Sequence, residues 1–166
     1  EPHSGTSNCT DVIDIVDKLR IAGNDLVWGI IDFDASNVSR DTILVLGEGK
    51  RYAIENYLLD PLYVVLALIR YGKATYQDFG VTTQISYPDA AYLTESECQI
   101  LIDNFLTILG MNMDNLMPVT LENGYQLNYP QEFLLHQGHN YETLIQSKFT
   151  KLQAISRGQG DSALKL

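Results

Sequence analysis

The 166-residue sequence predicts an α/β protein with a parallel-sheet core, a largely helical C-terminal portion and one β-hairpin. Three observations lead there. Two short, continuously apolar runs, "LVWGIID" at 26–32 and "TILVL" at 42–46, have the look of strands buried on both faces of a parallel sheet. An amphipathic helix precedes them, and a polar loop separates them, which is the order of an α/β unit. Beyond residue 50 the pattern turns helical, apart from one alternating stretch with Asn-Gly at its middle.

Taken in order, "TDVIDIVDKLRI" at 10–21 sets Val12, Ile13, Val16 and Leu19 at helical spacing behind Thr10 as cap, with Gly23 as stop. After the two strand runs, "RYAIENYLLDPLYVVLALIRYG" at 51–72 is mostly helical, with Pro61 suited to a first turn behind Asp60. "TESE" at 94–97 pairs Thr94 and Glu97 as a capping box for a helix that runs to Gly110. "PVTLENGYQLNYP" at 118–130 reads as a hairpin turning at Asn123-Gly124. The stretch that follows reads as two helices broken at Gly138, with a frayed tail beyond Ser156. The expected organisation is a core at 1–60, a helical segment at 61–115, and a hairpin with helices at 116–166 completing the same domain.

Composition narrows the function classes. An apolar share of 45% suits one globular core, and no run approaches the roughly 18 apolar residues of a membrane span, so a cytoplasmic protein without a membrane partner is expected. Cys9 and Cys98 lie far apart without metal-ligand spacing and are expected to be ordinary reduced thiols. A net charge of −10 argues against a phosphate backbone being gripped by bulk electrostatics. The cations do gather loosely, at Arg40, Lys50 and Arg51, at Arg70 and Lys73, and at Lys148, Lys151 and Arg157. These are as readily solvated charges as a patch for nucleic acid. Tyr52, Tyr57, Tyr87 and Tyr129 are of a type that stacks on bases, but such residues more often edge a core. Because the chain opens on Glu1 and is soon in patterned sequence, it reads as a piece of something longer.

The candidate chemistry sits in "WGIIDFDASN" at 28–37, where Asp32 and Asp34 stand at the end of a strand. Ligands of open α/β sheets gather at the carboxyl ends of the strands. Two carboxylates so close repel unless a cation lies between them, and all-oxygen sites of this kind suit Mg²⁺ or Mn²⁺. The plainer alternative is that Asp32 ends the strand and Asp34 caps a turn with Ser36 and Asn37. Glu55, following the next strand, is a further acidic candidate for the same edge.

"GIIDFD", an apolar strand and then "RYAIENYLLDP" together resemble the Toprim domains of OLD-type nucleases and of related domains beside or fused to ABC-class ATPases in bacterial defence systems. The resemblance covers roughly residues 5–62, with "FLLHQGHNYETLIQSKF" as a further matching stretch. It implies a Toprim-like, Rossmann-like core and metal-dependent phosphodiester cleavage, with Asp32 and Asp34 as the DxD ligands and Glu55 as the acidic residue of the later motif. It also implies an ATPase partner, possible assembly into a homo-oligomer, and a nucleic-acid substrate. The family's first glutamate is either Glu1 or a residue upstream of this chain, in which case the N-terminal strand of the core is missing. His139 in "QGHN" stands where the family often has a lysine, as a candidate proton or hydrogen-bond donor. A zinc reading of His136 with His139 finds no carboxylate or thiol partner and is rejected.

Two further readings stand beside the nuclease. One is a catalytically degenerate Toprim scaffold or sensor, favoured by the displaced glutamate and by His139. The other is a haloacid-dehalogenase-type phosphatase, since "IIDFDAS" approaches a DxDx[ST] motif, with Asp32 as nucleophile, Asp34 as general acid, and only "GMNMDN" as a source of the later acidic group.

Overall fold

The computed structural model describes residues 8–83 and 87–150, without the side chains of 87–89. Glu1, Gly5, Lys151, Arg157 and the tail beyond Ser156 lie outside them, as does the side chain of Tyr87. The chain is mixed α/β and divides into two compact units, residues 1–54 and 55–166. Each is described by itself.

In the first unit, helix α1 (Cys9–Ile21) is followed by β1 (Gly29–Asp32) and β2 (Ile43–Leu46), which pair in parallel. The cap of α1 is Asn8 rather than Thr10. Asn8 Oδ1 accepts from Asp11 N–H at 2.9 Å, and the Asp11 carboxylate accepts in return from Asn8 N–H at 3.2 Å. A capping box of this kind holds both ends of the first turn, which Thr10, one residue inside the helix, cannot do. Val16 packs with Ile31, Ile43 and Val45 to form a small core. Gly29 makes that packing possible, because a Cβ there would stand 2.7 Å from Ile43 Cδ1 and 3.0 Å from Val12 Cγ1.

The strands depart from expectation in two ways. The first begins at Gly29, not at Leu26, and the pair is covered on one face only: Ile31 and Val45 are buried, whereas Ile30 and Leu44 are 66% and 50% exposed. A continuous apolar run signals burial on both faces only when both faces have partners. Here α1 supplies one partner, and among the described residues the sheet is this two-stranded pair.

The second unit holds α2 (Glu55–Leu58), α3 (Pro61–Arg70), α4 (Glu95–Leu109), the antiparallel hairpin of β3 (Leu116–Thr120) and β4 (Gln126–Pro130), α5 (Gln131–Leu134) and α6 (Gly138–Lys148). Short 3₁₀ turns occupy Gln77–Phe79 and Tyr87–Tyr92. The caps of α3 and α4 are those read from sequence: Asp60 caps α3 with Pro61 in its first turn, Thr94 and Glu97 close the capping box of α4, and Gly110 ends α4 at φ +80°. The hairpin turns over the five residues 121–125. Gly124 N–H donates to Leu121 O at 2.9 Å, and Gly124 takes φ +89°, a conformation glycine adopts without steric cost. Gly138 is the first residue of α6 and not the break itself, which falls at residues 135–137.

Leu101, Ile102, Phe105 and Leu106 of α4 are fully buried and centre the larger core, with Phe79, Leu127, Tyr129, Phe133, Tyr141 and Ile145 around them. The edge of β4 is covered by α4 through side chains. Asn128 N–H donates to Gln99 Oε1 at 2.7 Å, Gln99 Nε2 donates back to Asn128 O at 2.9 Å, and Gln126 N–H donates to Glu95 Oε1 at 3.1 Å. An edge satisfied in this way offers no template for a further strand.

Three polar side chains cross the core of this unit. Asn56, wholly buried, donates through Nδ2 to Phe133 O at 2.9 Å and to His136 O at 3.0 Å. Tyr129 OH donates to Asp60 Oδ1 at 3.0 Å, and Tyr141 OH donates to Leu59 O at 3.0 Å. Together they tie residues 56–60 to the hairpin end and to α6.

Asn56→Ala would remove the donor from the buried Phe133 carbonyl and the part-buried His136 carbonyl. A loss of about 2–3 kcal/mol from the second unit is expected in urea denaturation followed by tyrosine signals.

Candidate functional site

Asp32 ends β1, and the chain turns sharply immediately after it. Ser36 N–H donates to Phe33 O at 3.0 Å, and the two residues between, Asp34 and Ala35, have φ of +46° and +58°. Positive φ at both central positions is the arrangement of a type I′ turn, which ordinarily calls for Asn and Gly. An alanine held left-handed costs roughly 1–2 kcal/mol. Strain of this kind persists only where the surroundings over-determine it, and it gathers at functional sites.

What holds the turn is visible. Asn37 Nδ2 donates to Asp32 O at 2.8 Å, Asn37 N–H to Phe33 O at 2.8 Å, and Asp34 N–H to Tyr52 O at 2.9 Å. The segment after β2 thus returns to the end of β1.

The carboxylates engage different elements. Asp32 Oδ1 accepts from Ile54 N–H at 3.0 Å, and Asp34 Oδ2 accepts from the Cys9 thiol, in the first turn of α1, at 3.2 Å. Neither caps the 33–37 loop, so the plain turn-cap reading of Asp34 does not describe its side chain. Asn37 does the capping. Among the described residues, Asp32 Oδ2 and Asp34 Oδ1 accept no hydrogen bond. One oxygen of each carboxylate is therefore available to a ligand.

The electrostatics follow from this packing. Burial pushes the Asp32 carboxyl above its ordinary value; the Ile54 N–H pulls the other way, and the negative charge of Asp34 adds to the rise. The Cys9 thiol is also pushed up, first by burial and then by its hydrogen bond to Asp34 and the charge there. A helix amino terminus usually favours a thiolate. At Cys9 burial and the carboxylate outweigh it, and the thiol stays a donor.

The remaining sequence candidates among the described residues belong to the second unit. Glu55 opens α2 in the second unit, with its side chain so close to Gly138 that a Cβ there would overlap it. His139 is exposed in the first turn of α6, where its carbonyl accepts from Thr143 Oγ1 at 3.0 Å. His136 is half-buried, with Nδ1 3.2 Å from Gln137 O. Asp32 and Asp34 are thus brought together in the first unit, while Glu55 and His139 belong to the second. Among the described residues, no three His, Cys, Asp or Glu side chains group as a metal site.

Sequence reasoning missed Cys9 and the backbone N–H of Ile54 as partners of the pair. No local signal marks either, since Cys9 is 25 positions from Asp34 and Ile54 is 22 from Asp32. Compared with protein-family models, with curated proteins and with solved structures, the chain matches none. Among the described residues no helix is long and apolar enough to cross a membrane.

Two outcomes are expected. Ala35→Gly relieves the left-handed alanine and raises the stability of the first unit by up to about 1 kcal/mol, whereas Ala35→Val lowers it by about 1–2 kcal/mol. Trp28, the only tryptophan, reports the first unit in urea titrations of both variants. The second outcome concerns pH. Asp32 holds its proton more tightly folded than unfolded, so its stabilising contribution is full below the ordinary value of 3.8 and is lost as pH rises through the folded value. Asp32→Asn keeps the acceptor for Ile54 N–H and should flatten that decline, leaving the variant at least as stable as the parent near pH 7.

Proposed function

We propose that Asp32 and Asp34 hold a divalent cation, Mg²⁺ or Mn²⁺, and that the chain is the metal-binding α/β part of an enzyme that cleaves phosphodiester bonds. One observation carries the reading. Two carboxylates at the carboxyl end of a parallel strand each keep one oxygen without a hydrogen bond among the described residues, on a turn whose left-handed backbone is tied to Asn37 and to Tyr52. The donor set is all oxygen, which suits a hard divalent ion.

The protein's own part would be positional. Ile54 N–H fixes one oxygen of Asp32, the Cys9 thiol fixes one oxygen of Asp34, and the rotation of each carboxylate is set by what it already binds. The burial that raises Asp32 makes a bare pair costly near neutral pH, and a cation between the two would relieve that cost. When bound, such an ion supplies an activated water and stabilises charge on the attacking and leaving oxygens. The resemblance to Toprim domains of OLD-type nucleases supports the choice of phosphodiester cleavage, and it supports an ABC-class ATPase as partner. The chain's net charge of −10 fits a division in which the partner supplies most of the grip on nucleic acid.

A degenerate scaffold is the second reading. It is supported by His139, which stands where the resembled family often has a lysine.

The deciding measurement is calorimetric titration of Mg²⁺ and of Mn²⁺ into the parent chain, Asp32→Asn and Asp34→Asn. Saturable binding lost in both variants supports the metal site. Binding unchanged in both, or absent from the parent at millimolar metal, overturns it in favour of the scaffold.

A further inference from the structure

The second unit carries a depression of about 450 Å³ between the approach to β3 and the α5–α6 connection. Small-molecule sites span about 300–1,000 Å³ and are mostly apolar. The side chains that line this one are polar, with one exception.

Five carboxamides line it, from Asn112, Asn115, Gln131, Gln137 and Asn140, together with the carboxylates of Asp114 and Glu132. No lysine or arginine does. Glu132 Oε2 accepts from Asn112 N–H at 2.7 Å, Oε1 accepts no hydrogen bond among the described residues, and Asn140 Nδ2 donates to Gln137 Oε1 at 2.7 Å. Among the described residues the side chains of Asp114, Asn115 and Gln131 make no hydrogen bond at all. Leu135 is the one aliphatic side chain at the surface of the depression.

Two carboxylates, the unengaged amide oxygens of Asn115, Gln131 and Asn140, and no lysine or arginine, with His136 as the one imidazole, make a site that disfavours phosphate and accepts N–H donors. Guanidinium and ammonium groups are the donors that pair best with carboxylates, the former with a planar fork of N–H bonds. Leu135 offers an apolar floor for the methylene stem such cations carry. We propose that this depression binds a small organic cation bearing guanidinium or ammonium groups. The inference is independent of the metal reading, because the depression lies wholly within the second unit.

The fold supplies a built-in reporter. Residues 135–137 line the depression, and the carbonyl of His136 accepts from the buried Asn56 Nδ2. On this proposal a cation held by Asp114 and Glu132 bears on that connection from outside, and the Asn56 side-chain amide is expected to shift with it. A cation merely condensed on an acidic surface does not reach Asn56.

The experiment is an NMR titration of the full chain with agmatine, which carries both cationic groups on a four-carbon stem, following side-chain amide resonances. Expected are saturable shifts at Gln131, Asn140 and Asn56, and affinity about tenfold or more weaker in Asp114→Asn and in Glu132→Gln. Gln at 132 retains an acceptor for Asn112 N–H, so folding is not at stake, and unchanged Leu101 and Phe105 signals in the core verify this. Three results would overturn the proposal. They are shifts that never saturate or that spread equally over the acidic face of α1; equal shifts from Mg²⁺ or from uncharged ribose; and agmatine binding that survives both substitutions.

Discussion

Two carboxylates one residue apart at the mouth of a strand repel, and the left-handed turn at Asp34 and Ala35 is the device that accommodates them. Had the strand continued, residues 32 and 34 would have pointed to the same face. Turning directly after Phe33 takes Asp34 out of that alternation, so that Asp32 meets the returning segment at Ile54 and Asp34 meets α1 at Cys9. The rest of the first unit follows from this arrangement. The 33–37 loop is capped by Asn37, the segment after β2 is drawn back along the end of β1, and the Cys9 thiol is pushed up first by burial and then by its anionic partner.

The second unit solves a different problem, that of fixing short elements. Helices α2 and α5 have four residues each, too few to stand by propensity or by a single apolar stripe. Buried polar groups fix them instead. Asn56, Asp60 and the hydroxyls of Tyr129 and Tyr141 meet specific partners across 69 to 82 positions of sequence. Such groups are costly when unpartnered and directional when paired, so they define one arrangement where apolar contacts alone would tolerate several. The connection at 135–137 is held from inside by this network while its outer face lines the polar depression, which is why a buried asparagine can report on a surface ligand.

Both regions place unengaged oxygen atoms on a backbone fixed from several sides. In the first unit those oxygens belong to two carboxylates, a donor set for a hard ion. In the second, carboxamides outnumber carboxylates, and the donor set favours an N–H-bearing cation. On the two readings proposed above, the same net negative charge would serve two chemistries, separated by the company each carboxylate keeps.

How much of this was legible beforehand depended on range. The caps of α3 and α4, the hairpin with glycine at its turn, the two strand runs and the aspartate pair at a strand end were all determined by the sequence alone, because each is decided within three or four residues by propensity, capping or turn stereochemistry. Asn8 in place of Thr10, and the start of α6 at Gly138, were misjudged by one or two positions for the same local reason: neighbouring residues compete for the end of a helix. Only the tertiary structure decided that one face of the strand pair is uncovered, that Glu55 packs against Gly138 in a unit of its own, and that Cys9 and Ile54 hold the two carboxylates. These depend on which elements meet in space, and an apolar run, a glutamate or a cysteine carries no mark of its partner until the chain has brought the two together.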